Sequence, residues 1–310
     1  MSVLQNTKLI QTDHPHRNLG KGPIHNSHWR HLLYKCKAYN LLLNYQFGGC
    51  LGHSTTNTLH YMEQFTWNTW WKGQVASALF LDIQAAFPNM QKDKLIVNMR
   101  AQNLADEYCN FIDMILTQWQ IQLKFDNHTS TPFSPTDGCC QGCPLSMLLY
   151  TIYNAPLIQV AMNDNPNKWI VGFMDNTTLL ASGKNFKEAH GILKDMMEHR
   201  NGIFEWSQMY NSPLEMNKLA LVNFTLSHEK ATKVNTLILT QPDSGSQLTH
   251  QIQASPHAKL LGILLDSKLT WKAQHEKSVK RQSNGQWCSS ASQKQWLAYE
   301  WMKPTNYTMW

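Results

Sequence analysis

Hydrophobic and polar positions change period several times along this chain, and each change marks an element. The first thirty residues are polar, rich in His and Asn, and aperiodic; the pattern turns helical from His28 to about Leu43. Residues 1–40 are together read as a poorly ordered leader. "YQFGGCLGHSTT" breaks the helical pattern with Gly48, Gly49 and Gly52, and "NTLHYMEQFTWNTWW" then predicts a long helix that Gly73 stops. "VASALFLDI" is short and almost continuously apolar, which suits a buried strand better than a helix. Helical stretches follow near 91–101 and 105–118, and "QIQLKFD" alternates at strand period before the polar turn "DNHTS". "DGCCQGC" reads as a loop, and Pro144 can open a helix running to about Met162.

"VGFMDNTTLLASG", residues 171–183, has the shape of a hairpin with Asp175 and Asn176 at its tip. Ala189, Ile192, Leu193, Met196 and Met197 then recur at helical spacing, which makes one apolar face. "LALVNFTL" and "KLLGILLD" predict later strands, and beyond Trp271 the periodicity fades into Gln, Ser, Lys and Trp. Strands and helices mix without strict alternation and without an internal repeat, so the predicted class is α+β.

Composition narrows the picture modestly. With 310 residues and 42% apolar positions the chain can bury a sizeable core, and a formal charge of +6 permits a polyanionic partner without requiring one. Seven cysteines and an N-terminus lacking an apolar core predict reduced thiols in an intracellular protein, nuclear or cytoplasmic and not secreted. The Asn-x-Thr triplet at Asn127 then carries no glycan. No stretch approaches the roughly 20 apolar residues of a membrane span.

The candidate chemistry lies in acids. Asp82 ends the predicted buried strand, where a lone carboxylate either caps backbone or faces a cleft. A second acid at a hairpin tip of the same sheet, Asp175, makes a pair able to hold hard cations. Two Mg²⁺ ions about 4 Å apart would stabilise the entering and leaving oxygens of a displacement at phosphorus. Such tips usually carry two adjacent acids, and here the second is the amide of Asn176. The Cys-x-x-Cys pair in "CCQGC" lacks the second pair that zinc would need. The histidines at 14, 16, 25, 28 and 31 read as part of a solvated leader.

These segments, in this order, resemble the reverse transcriptase domain of non-LTR (LINE-like) retrotransposons, most closely the fungal kind. The resemblance covers about Leu41 to Trp271. "YQFGGCLGHSTT" looks like the fingers segment and "LFLDIQAAFPNM" like the first palm motif. "GCCQGCPLSMLLYTIYNAPL" resembles the loop-helix motif, and "GFMDNTTLLASG" the hairpin that usually ends in two aspartates. "MNKLALVNFT" and "KLLGILLDSKLTW" are similar to the last palm strands. It implies a right-hand polymerase palm and fingers over 41–271, with residues 272–310 as a degenerate or incomplete thumb.

The implied activity is RNA-directed DNA polymerisation, with an RNA template, a DNA primer and deoxynucleotides as partners and two Mg²⁺ ions as cofactor. Asp82 and Asp175 would ligate the ions, helped by the Ile83 carbonyl. Phe87 would lie under the incoming sugar and exclude a 2′-hydroxyl; by pattern alone it is a core aromatic. Gln141 and Gly142 would touch nucleotide and template, while Pro144 and Ser146 open the supporting helix. Lys218 would neutralise or protonate the leaving pyrophosphate; by pattern alone it is a solvated lysine. The strand at 260–265 would form the primer grip.

Departures from the family pattern imply weakened or lost activity. Asn176 brings no charge, and Cys50 and His53 stand where the family tends to carry arginines. An inactive nucleic-acid-binding module and a transposon relic are the other readings left open.

Overall fold

The computed structural model describes residues 8–12, 31–32, 34–36, 45–50, 52–125, 128–139, 144–160, 165–226, 236–243 and 246–283. Its strands are β1 (Lys8–Thr12), β2 (Val75–Asp82), β3 (Gln120–Phe125), β4 (His128–Thr129), β5 (Lys168–Phe173), β6 (Asn176–Gly183), β7 (Ala220–Phe224), β8 (Thr236–Asp243), β9 (Ser246–Gln253), β10 (His257–Leu260) and β11 (Ile263–Asp266). Its helices are α1 (Thr55–Trp71), α2 (Lys92–Ala101), α3 (Asp106–Gln118), α4 (Pro144–Tyr153), α5 (Ala155–Gln159), α6 (Phe186–Glu198), α7 (Ile203–Met209) and α8 (Lys272–Ser283). None of the described helices is long and apolar enough to cross a membrane.

Strand β2 is buried over its first seven residues, because it has an apolar layer on each face. Leu79 and Leu81 join the core built with α2, α4 and α6, while Ala76, Ala78 and Phe80 join a second core with α1, β10 and β11. Alternate residues thus enter opposite cores, as the strand period of two requires. β2 is central in an antiparallel sheet ordered β5-β6-β2-β7. The register sets Asp82 opposite Asn176, and Asn176 opposite Phe173, so three strand ends meet at one edge of the sheet.

Local signals place most of these elements. Ser54 and Asn57 form a reciprocal capping box at the start of α1. Past its end, Gly73 takes φ +69°, a left-handed conformation suited to glycine. The helix opened by Pro144 is shorter than its pattern predicts. It ends at Tyr153, and a separate short helix starts at Ala155 with Asn154 as the break. Residues 161–164 lie outside the described set.

Several elements, α7 among them, have no forecast in the pattern. β1 lies within the leader and pairs antiparallel with β3. β8 and β9 form a long hairpin whose outward positions include exposed Ile238 and Leu248, which blurs its alternation. α8 follows Trp271 despite its mostly polar face. It is anchored by buried Trp271 at its start and by Gln274, whose Oε1 accepts the Leu264 N–H at 2.9 Å.

Candidate active site at the strand ends

Asp82 sits where β2 leaves the core. Its carbonyl accepts the Glu215 N–H at 2.9 Å, Ile83 bridges to Leu214, and the Gln84 N–H donates to the Pro213 carbonyl at 2.8 Å. The segment 213–215 is thereby laid along the strand end, and the 3₁₀ turn Met216–Lys218 swings Lys218 back over it. Lys218 Nζ lies 3.0 Å from Asp82 Oδ2. The bond to that carboxylate and its charge push the lysine up from its ordinary value. So exposed a pair contributes little to stability, and its weight is in the local charge.

Asp175 comes from the β5–β6 turn, where Phe173 and Asn176 are the last paired residues and Met174 and Asp175 make the two-residue link. Met174 takes φ +57°, a left-handed value that a side chain disfavours. Burial raises the Asp175 carboxyl above the usual carboxylate range, and the nearby charge of Asp82 adds to it. Asn176 works against both, its Nδ2 donating to Asp175 Oδ1 at 3.0 Å. The amide therefore binds the remaining acid, where a second carboxylate would have repelled it.

Phe87 is half-buried and packs on Tyr150, ring centroids 5.1 Å apart. Tyr150 is fully buried, and its hydroxyl has no hydrogen-bond partner among the described residues. Burial raises its phenol well above the ordinary value, and the Asp175 charge is the next cause. Phe87 thus packs on a ring that feels the Asp175 charge. The Phe87 carbonyl also accepts the Cys139 N–H at 3.0 Å, which brings the end of the "DGCC" loop alongside. Gln141 and Gly142, with the rest of the Cys-x-x-Cys pair, lie outside the described residues.

Cys50 and His53 supply no fixed cation. Cys50 donates its thiol to the Gln46 carbonyl at 3.2 Å, and burial pushes it up to about 11. The His53 ring rests on Phe47, centroids 5.1 Å apart. Two residues that touch the tip have no role assigned to them from the sequence. Asn154 Nδ2 donates to the Met174 carbonyl at 3.2 Å. Gly48 passes so close that a Cβ there would lie 2.4 Å from Met174 N. The only sequence signal for the first is the helix-breaking "YNAP", and for the second the paired glycines.

Strand ends, hairpin tip and loop together bring Asp82, Asp175, Asn176, Ile83, Phe87 and Lys218 into one region of the molecule. Residues 20–265 match the family model for reverse transcriptase (RNA-dependent DNA polymerase). The chain is 24% identical over 235 residues to a probable RNA-directed DNA polymerase from transposon X-element of Drosophila melanogaster, covering 76% of this chain and 24% of that protein. It is 26% identical over 239 residues to the RNA-directed DNA polymerase from mobile element jockey of Drosophila funebris, covering 74% and 24%. These relatives are insect, not fungal, elements, and the chain spans about a quarter of their length. Its fold is similar to apo telomerase from Candida tropicalis truncated from its C-terminal domain, with TM-score 0.54 and 12% identity over 83% of this chain and 46% of that one. Telomerase of the same organism in complex with a fragment of telomeric RNA gives TM-score 0.55 at 12% identity, covering 83% and 38%.

Proposed function

This chain belongs to the reverse transcriptase family, with LINE-like relatives, and from that premise we propose that it is the polymerase domain of a retrotransposon. The reaction is addition of deoxynucleotides to a primer 3′-hydroxyl on an RNA template. Asn176 weakens it in this copy. The observation that carries the reading is the meeting of Asp82 and Asp175 at adjoining strand ends, with Lys218 at 3.0 Å from Asp82.

In this reading the four-stranded sheet with its flanking helices is the palm, and the segment 45–50 with α1 belongs to the fingers. The turn at Leu261 and Gly262, both left-handed, makes the β10–β11 hairpin a primer grip. α8 begins the thumb segment. The protein works inside the cell, in nucleus or cytoplasm.

The donor set fits Mg²⁺. Two carboxylates and the Ile83 carbonyl are hard oxygen donors, and a cation relieves the like-charge crowding that raises Asp175. When bound, a pair of such ions stabilises the entering and leaving oxygens of a phosphoryl displacement. The chain's own residues do the rest. The Phe87 ring, backed by Tyr150, excludes a 2′-hydroxyl by volume. Lys218 moves its charge from Asp82 to the departing pyrophosphate. Gln141 and Gly142 touch nucleotide and template.

The test is Mg²⁺-dependent primer extension on an RNA template with the native chain, Asn176→Asp and Asp82→Ala. Restoring the second acid raises extension by about 10²–10⁴-fold, equivalent to roughly 3–5 kcal/mol of barrier, and Asp82→Ala abolishes it. No extension by any of the three, although each folds and holds primer–template, overturns the catalytic reading. The chain is then an inactive nucleic-acid-binding module, a reading favoured by the Asn176 amide bound to Asp175 and by the uncharged Cys50.

A further inference from the structure

Asn154 is completely buried, and its position in the chain suggests an ordinary role that it does not perform. It occupies the N-cap of α5, a place where Asn commonly accepts a hydrogen bond from the first turn, yet its side chain makes no capping bond. The amide instead turns away from the helix. Nδ2 donates to the Met174 carbonyl at 3.2 Å, while Oδ1 is buried without a partner among the described residues. A buried amide with an orphaned oxygen is a costly choice where an apolar side chain of similar branching carries no polar atom to satisfy. Its orientation follows from chemistry, since flipping the amide would set two carbonyl oxygens against each other.

The bond lands on a significant peptide. The Met174 carbonyl belongs to the link between Met174 and Asp175, so holding it orients the acid itself. Met174 stands at φ +57°, where a glycine would be at ease and a side chain is not. Gly48 closes the other side, within 2.4 Å of Met174 N for any added Cβ. The Thr151 hydroxyl on α4 lies 3.0 Å from the Gly48 carbonyl and shares its one proton between that oxygen and the Met147 carbonyl at 2.9 Å. A strained turn thus sits between a buried amide and a backbone that admits no side chain.

We propose that Asn154 is the positioning residue of the acid tip: its amide holds the Met174–Asp175 peptide in the orientation that presents Asp175 to a divalent cation. Gly48 is the opposing wall of the same clamp. The consequence for cation binding rests on the metal-site reading above, whereas the clamp on the peptide does not.

The experiment separates the two. In full-length chain labelled with ¹⁵N-Asp, with no metal present, solvent exchange of the Asp175 amide is measured in the parent, Asn154→Leu, Met174→Gly and the double variant. Asp175→Asn identifies the resonance. Loss of the Asn154 donor accelerates exchange at least tenfold. Against Met174→Gly, whose turn needs no holding, the same loss changes it less than threefold. A residue that merely fills the core would act equally in both backgrounds, and that result overturns the proposal. So does unchanged exchange in a folded Asn154→Leu chain. If Asn154→Leu fails to fold, recovery of the fold in the double variant supports the clamp, and its failure there overturns it. Mn²⁺ affinity by electron paramagnetic resonance then falls at least tenfold in Asn154→Leu. Should the parent bind no Mn²⁺ that Asp175→Asn removes, the metal reading fails, and the metal-free comparison still decides the clamp.

Discussion

Strand β2 carries two polar side chains with opposite fates. Ser77 lies mid-strand and fully buried; Asp82 ends the strand at the edge of the core. Ser77 Oγ donates to Asn223 Oδ1 at 2.8 Å, and His190 Nε2 lies 2.9 Å from the same oxygen. That oxygen only accepts, so the histidine carries its proton on Nε2. The three groups are neutral and joined, as burial demands, because a charge at that depth would lose its hydration without recompense. Asp82 is placed the other way, beside a second acid, at an edge where water and Lys218 reach it. The central polar cluster stabilises the sheet, whereas the edge cluster holds like charges closer than stability favours. Crowding of that kind makes the edge cluster a functional-site candidate.

The comparison breaks first at the central cluster. Asn223→Leu leaves the Ser77 hydroxyl and the His190 N–H buried without their acceptor, and urea unfolding should show a loss of about 2–3 kcal/mol. Should the loss stay under about 0.5 kcal/mol, the cluster is not what stabilises the middle of the sheet. Next comes Gly48→Ala, whose Cβ would meet Met174 backbone at 2.4 Å; overpacking of this kind costs about 1–3 kcal/mol.

A subtler contrast is one of sign with pH. Burial depresses His190 below its ordinary 6.5, so its contribution to stability is present above that value and is lost as pH falls through the folded value. Thermal melts of the native chain should decline on that acid side, and His190→Gln should flatten the slope. Asp175 behaves oppositely. Its folded pKa is raised, so its contribution is fully present below 3.8 and is lost as pH rises through the folded value. At neutral pH Asp175→Asn should therefore stabilise the metal-free chain, by less than about 1 kcal/mol or some 4 °C in Tm. A fall in Tm would show that the edge acids are not in conflict.

Much of this contrast is legible without coordinates. The apolar run ending in Asp82, the hairpin carrying Asp175 and the apolar face of α6 all have a local period or a turn residue behind them. The same logic overextends the helix from Pro144, because periodicity cannot see that Asn154 is needed elsewhere. It misses the β8–β9 hairpin, where apolar Ile238 and Leu248 face outward among polar residues and blur the alternation. It misses α8 as well, where two anchoring contacts replace an apolar stripe. Lys218 reads as a solvated lysine, and its partner becomes visible only when the segment 213–215 is seen bound along the end of β2.

By itself the sequence determined the class of the fold, the order of most of its elements, the family and the two candidate acids. Each of these depends on residue types at short spacing, which local sterics and alternate burial convert directly into helix, strand and turn. Only the tertiary structure decided that Asp82 would lie opposite Asn176, that Asn176 would bond to Asp175, and that a buried amide and a glycine would grip the turn between them. Apart from the bond between the neighbours Asn176 and Asp175, those relations join residues distant in the chain. They are set by strand register, which is chosen when both faces of the sheet pack at once and which no local window of sequence contains.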